Sequence, residues 1–144
     1  MTQTTTTNWG NVFTDEKDAV EAFKKLRIKK GIACKKCGNT KHYWLSGKSQ
    51  FQCNCCKFRT TLRSGTVLEG SKLPISYFFI AWSLLIKNNN RVTIDEFQKE
   101  TKHKYYEPLW EYLHKVKGHF KSEDLTKMQV EFIELTNPFI TMNN

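Results

Sequence analysis

The sequence predicts a small α+β fold, a helix and three short strands followed by a three-helix bundle, on three observations. Four of its five cysteines form two C-x2-C pairs, Cys34/Cys37 and Cys53/Cys56, with fifteen residues between the pairs. Inside that interval His42-Tyr43-Trp44-Leu45 and Gln50-Phe51-Gln52-Cys53 flank Ser46-Gly47-Lys48-Ser49, the pattern of a hairpin. Beyond residue 70 the apolar residues recur at intervals of three and four, the period of a helix buried on one face.

Each cysteine pair sets two sulfurs on a tight turn, and Gly38 follows the first pair where a bend toward positive φ suits glycine. The hairpin brings the two turns together, so Cys34, Cys37, Cys53 and Cys56 are expected to hold one tetrahedral zinc ion in a treble-strand zinc ribbon. Disulfides are the competing use, but five cysteines leave one unpaired and no secretory leader precedes them. In Cys53-Asn54-Cys55-Cys56 only Cys53 with Cys56 repeats the spacing, which leaves Cys55 as a free thiol. Four thiolates close the coordination sphere, whereas a hydrolytic zinc keeps a position for water, so the metal is expected to be structural.

Along the chain, residues 1–11 are rich in Thr and Gln without apolar spacing and are expected to form a disordered tail. Residues 12–70 form a helix-braced ribbon. Thr14 or Asp15 caps a helix in which Ala19, Val20, Phe23 and Leu26 share one side while Lys17, Lys24 and Lys25 stay in water. A ribbon has little core of its own, and this helix is expected to cover its aromatic residues. Lys57–Arg63 is expected to be the strand leaving the second knuckle, broken by Ser64-Gly65-Thr66.

Residues 71–120 are expected to be a helix-turn-helix-like domain. Pro74 opens a helix whose Ile75, Phe78, Phe79, Trp82, Leu85 and Ile86 make core rather than a stacking platform. Thr93 with Glu96 makes a capping box and Val92 with Phe97 a hydrophobic staple, so a second helix starts at Thr93. A turn at Thr101–Lys104 leads to a third, with Ile94, Phe97, Leu109, Trp110 and Leu113 expected in the core. Residues 121–144 form a tail or short helix after Ser122, with Leu125, Met128, Phe132 and Leu135 packing on the bundle or on another subunit.

Charge narrows the partner. The chain carries a formal net charge of +9 over 144 residues, and the stretch from Lys24 to Arg63 holds twelve Lys or Arg and no Asp or Glu. A tetrathiolate zinc lowers the total to about +7 and leaves the field positive. Such a surface attracts a polyanion, and double-stranded DNA is the expected one. The candidate contacts are Lys57, Arg59 and Arg63 on the ribbon and His103, Lys104, Tyr105, His114, Lys115 and Lys117 around the third helix. Glu107 and Glu111 on that helix would repel phosphates or read cytosine amino groups, and are expected instead to face Lys or Arg on the protein surface. The longest apolar run, Tyr77–Trp82, is too short to span a membrane, so the expected location is cytoplasmic and nucleoid-associated.

Phe13-Thr14-Asp15-Glu16, Cys34-Lys35-Lys36-Cys37-Gly38, Phe51–Phe58 and Ser64–Pro74 together resemble the N-terminal region of bacterial insertion-sequence transposases with a zinc-ribbon domain. Trp110–Lys117 is similar to the end of their helix-turn-helix, and the resemblance covers roughly residues 12–120. It implies binding of transposon-end DNA, with strand chemistry performed by a following ribonuclease-H-like domain. Only 24 residues follow Phe120, and Val130-Glu131-Phe132-Ile133-Glu134, similar to a segment of that domain, has Ile133 where the family has its first catalytic aspartate. No catalytic residue is therefore assigned, and no enzymatic activity is expected. The expected function is zinc-stabilised, sequence-specific DNA binding at transposon ends or at a promoter, with a complete transposase or a second copy as further partners. A zinc-dependent protein-interaction adapter, with an aromatic contact surface, is the alternative.

Overall fold

A computed structural model describes residues 15–121 and 123–140, with side chains described up to residue 136. The expected tail, Thr14 as a cap, and Ser122 lie outside the described residues. The elements run α1 (Glu16–Lys30), β1 (His42–Leu45), β2 (Gln50–Cys53), β3 (Arg59–Thr61), α2 (Ser76–Lys87), α3 (Ile94–Thr101), α4 (Tyr106–His119) and α5 (Leu125–Ile140). The strands form one antiparallel sheet in the order β1-β2-β3, in a register that aligns Tyr43, Gln52 and Arg59 across one face. The opposite face carries Trp44, Phe51 and Thr60 toward the protein, with Phe51 and Thr60 buried.

Asp15 caps α1 by accepting from the Lys17 N–H at 3.2 Å, and Gly31 ends the helix at φ 88°. The buried side of α1 is Ala19, Ala22, Phe23 and Leu26, with Val20 half-buried. Its main packing differs from the expected one, because α1 packs on α2 and α5, as in the edge-to-face contact of Phe23 with Phe78 at 5.3 Å. The ribbon is met mainly by cationic stems. Lys24 lies over Trp44, and Arg27 lies over Phe51 while donating to the carbonyls of Thr61 and Leu62. An alkyl stem with a charged head covers an aromatic edge and still satisfies loop carbonyls, which an aliphatic side chain cannot do.

β3 is shorter than the expected strand. Lys57 turns at φ 69° before it and Arg63 follows it, so only Arg59–Thr61 pair with β2. Pro74 likewise lies before α2 rather than within it, and Ile75 occupies the cap position without a side-chain bond. Glu16, on the first turn of α1, supplies that bond from outside by accepting from the Ile75 N–H at 2.6 Å and the Ser76 N–H at 3.1 Å.

The capping box at Thr93 and Glu96 is complete, and Val92 and Phe97 are both buried. Lys102 closes α3 in the left-handed region, and the Gln98 amide donates to the carbonyls of His103 and Lys104, which sets the turn into α4. Around Trp82 the rings of Phe120, Phe132 and Phe78 lie within 5.0, 5.3 and 5.7 Å, a core of aromatic edges and faces. Leu109, Tyr112, Leu113 and Val116 are the buried side of α4, and Trp110 is not among them. Placing Trp110 in the core was wrong, since with Leu109 and Leu113 inward a residue one step along the helix turns about 100° toward solvent. The expected short C-terminal helix is a full one, α5, with Met128, Phe132 and Leu135 buried against the bundle. Four helices therefore follow the ribbon among the described residues, the expected three and the C-terminal one.

Candidate metal centre and nucleic-acid surface

The two cysteine turns repeat one backbone design. In the first, the Cys34 N–H donates to Asn39 O at 2.9 Å and the Gly38 N–H to Cys34 O at 2.8 Å. In the second, the Cys53 N–H donates to Phe58 O at 2.8 Å and the Lys57 N–H to Cys53 O at 3.1 Å. Gly38 and Lys57 hold equivalent left-handed positions at φ 80° and 69°, so the second knuckle achieves without glycine what the first does with it. β1 and β2 then bring the turns face to face.

The four sulfurs lie within 4.8 Å of one another, with Cys34–Cys56 and Cys37–Cys53 each at 3.5 Å. A tetrahedral ion with Zn–S bonds of about 2.3 Å needs sulfurs roughly 3.8 Å apart, so this cluster fits zinc with little movement. Backbone N–H groups already point at the sulfurs, from Lys36 and Cys37 to Cys34 and from Cys56 to Cys53. The Cys56 N–H, with further donors from Cys55 and the Asn39 amide, outweighs burial and holds the Cys53 thiol down to about 5, a thiolate ready to ligate. Cys34 and Cys53 are buried, Cys56 is half-buried and Cys37 is exposed at the tip. Cys55 is exposed and outside the cluster. Among the described residues these four cysteines form one structural zinc site, closed by four thiolates with no position left for water.

The basic side chains of the ribbon fall into two groups. Arg27 is spent on the Thr61 and Leu62 carbonyls, Lys29 pairs with Glu131 and Glu134 of α5, and Arg63 donates to Ser71 O at 2.9 Å. Lys35, Lys36, Lys41, Lys48, Lys57 and Arg59 are exposed. Lys57 also stands over the ring of Tyr43 at 5.6 Å, beside the open row of Tyr43, Gln52 and Arg59.

Around α4, Lys104, Tyr105, His114 and Lys115 are exposed. His103 is half-buried with its Nδ1 3.2 Å from the Tyr77 hydroxyl, and Lys117 is half-buried with its Nζ donating to Val92 O. Among the described residues neither Glu107 nor Glu111 makes an ion pair, although Lys115 stands one turn beyond Glu111 on the same side of the helix. The residues missed by sequence reasoning are Tyr106 and Trp110, which are 50% and 40% exposed, with the Trp110 and His114 rings 3.8 Å apart. Counting the exposed side of α4 rather than its buried side would have found them.

Among the described residues the ribbon is the only sheet, and Glu131 and Glu134 lie on α5 paired to Lys29. No helix of the described residues is long and apolar enough to cross a membrane. No curated protein and no solved structure matches the chain. Residues 14–59, which contain α1, all four zinc ligands and the first residue of β3, match the transposase zinc-ribbon domain family of the IS1595 type.

Proposed function

We propose that this chain is a zinc-stabilised, sequence-specific duplex-DNA-binding protein related to transposases. One observation carries the reading. A transposase-type ribbon whose segment from Lys24 to Arg63 has twelve cations and no acid is joined to a helix-turn-helix-like pair, α3 and α4. Lys57 and Arg59 on the ribbon, and Lys104 and Lys115 beside α4, contact phosphates and fix the orientation. Tyr105 and His114 lie where α4 would enter the major groove. Arg63 and Lys117 support this surface by holding Ser71 and Val92, with phosphate contact through whatever part of each side chain remains exposed. The domains act as a ribbon over residues 12–70 and a helical reader over 71–120, with the natural targets being transposon ends or a promoter, alone, as a second copy, or beside a complete transposase.

The test is titration of the zinc-loaded chain with randomised duplexes at several salt concentrations. The four exposed cations Lys57, Arg59, Lys104 and Lys115 contribute about −3.6 to the slope of log K on log salt, and neutralising them one at a time removes about 0.9 each. A salt-independent association, or one unchanged by all four substitutions, refutes the reading and favours the adapter alternative that the exposed rings of α4 support.

A further inference from the structure

The outward side of α4 consists of two adjacent rows. Tyr106, Trp110 and His114 recur every four residues, and Glu107, Glu111 and Lys115 form the neighbouring row. Tyr105, 66% exposed, stands at the entry to the helix. The aromatic row rises about 12 Å along the helix, the span of roughly three to four stacked bases. The His114 ring lies 3.8 Å from that of Trp110, so these two rings support one another.

What this side lacks is equally informative. Helix α4 contains no Arg, Asn or Gln, and its first two turns contain no Lys. Those are the residues that read guanine and adenine in the major groove. The groups present instead are carboxylates, which accept from the N4 amino group of cytosine, and apolar surfaces, which contact the 5-methyl of thymine. Two unpaired carboxylates on the entering helix of a chain of net charge +9 repel phosphate, so their place on a DNA-binding side needs a compensating donor. Lys104 precedes the helix and Lys115 stands one turn beyond Glu111, so cations lie at both ends of the strip and the carboxylates between them.

We propose that the outward face of α4 reads a run of pyrimidines on one DNA strand, with Glu107 and Glu111 accepting from cytosine amino groups and Tyr106 and Trp110 packing on thymine methyls. This rests on the duplex-DNA reading above and adds the base class it selects. A cationic protein segment is the other occupant that rings and carboxylates suit, and it is an outcome of the test.

The experiment is selection from randomised duplexes by the zinc-loaded full chain, by Glu111→Gln and by Trp110→Ala, followed by replacement of thymine with uracil in the enriched site. The expected result is a pyrimidine run. Glu111→Gln should move one position from cytosine to adenine by about tenfold, because glutamine pairs with adenine N6 and N7. Base preference is the readout, since loss of a carboxylate alone raises affinity for every sequence. Uracil should weaken binding about fourfold per lost methyl in the wild type and have no effect at the position Trp110→Ala has vacated. An enriched site that neither variant alters, or guanine at the positions they control, overturns the inference and leaves sequence-specific binding standing. Altered self-association by light scattering with an unchanged site overturns it in favour of a protein partner. Absence of any enriched site for the wild type refutes the duplex-DNA reading itself. Both side chains are exposed, and should Trp110→Ala fail to fold, the near-isosteric Glu111→Gln decides.

Discussion

Replacing Glu16 tests how the ribbon's helix is tied to the bundle. Its carboxylate accepts from the Ile75 and Ser76 N–H groups at 2.6 and 3.1 Å, at a helix end that has no capping side chain of its own. Removing a capping acceptor costs about 0.5–2 kcal/mol, and a charged acceptor lies in the upper part of that range. The Glu16 side chain is partly in water, so Glu16→Ala is expected to cost about 1–2 kcal/mol and lower Tm by roughly 4–8 °C. Glu16→Gln keeps an acceptor oxygen and loses only the charge at the helix end, about 0.3–1 kcal/mol. Asp18→Asn is the control, because Asp18 shares the first turn of α1 and, among the described residues, its carboxylate makes no hydrogen bond or ion pair to α2. Thermal melts rank the variants, and amide exchange at Ile75 and Ser76 locates the effect. A Glu16→Ala variant that melts with the wild type, or one no worse than Asp18→Asn, refutes the capping argument.

Further outcomes follow from the site and the core. Protein purified without a metal-binding tag should carry one zinc per chain, retained by Cys55→Ser and weakened by replacement of Cys34, Cys37, Cys53 or Cys56, as elemental analysis would read. Chelation should release the amides of β1–β3 to exchange before those of α2–α5, because among the described residues 31–63 only Ile32, Phe51 and Leu62 are large apolar side chains buried in the cluster, with Trp44 packed against it. Burial and nearby Lys30 lower the His119 pKa, so the unfolded chain takes up that proton first as pH falls. The stability held by neutral His119 is present above about pH 6.5 and lost below it, and urea midpoints at pH 7.5 and 5.5 should differ less in His119→Gln than in wild type. With Mg²⁺ or Mn²⁺ these residues should leave supercoiled DNA intact. Cleavage lost on replacing Glu131 or Glu134 would contradict the assignment of both as partners of Lys29.

The metal centre was legible because ligand spacing is a local property. Two C-x2-C turns and a hairpin specify four sulfurs almost without reference to the rest of the chain. The capping box at Thr93 and Glu96 was legible for the same reason. What sequence could not give was direction. The period of α4 shows that Leu109 and Leu113 share a side with Val116, but Trp110 joins or leaves that side by one step, and its hydrophobicity argued for the wrong one. Tertiary polar ties were invisible as well. Glu16 and Ile75 are far apart in sequence, and nothing in either segment marks Arg63 as the donor to Ser71 or Lys29 as the partner of an acid on α5.

Those ties change what the segment between β3 and α2 is. Arg27 holds the carbonyls of Thr61 and Leu62, Arg63 holds that of Ser71, and Glu16 holds the amides of Ile75 and Ser76. Leu62 and Leu68 are buried in the same cluster as the bundle core. A flexible connector would let two binding surfaces search independently, at an effective concentration set by connector length. Here the connector is a strut. On the duplex-DNA reading proposed above, the ribbon and α4 would meet a duplex at one separation and one rotational phase, so a target whose two contacts are displaced by half a helical turn would present the second on the wrong side.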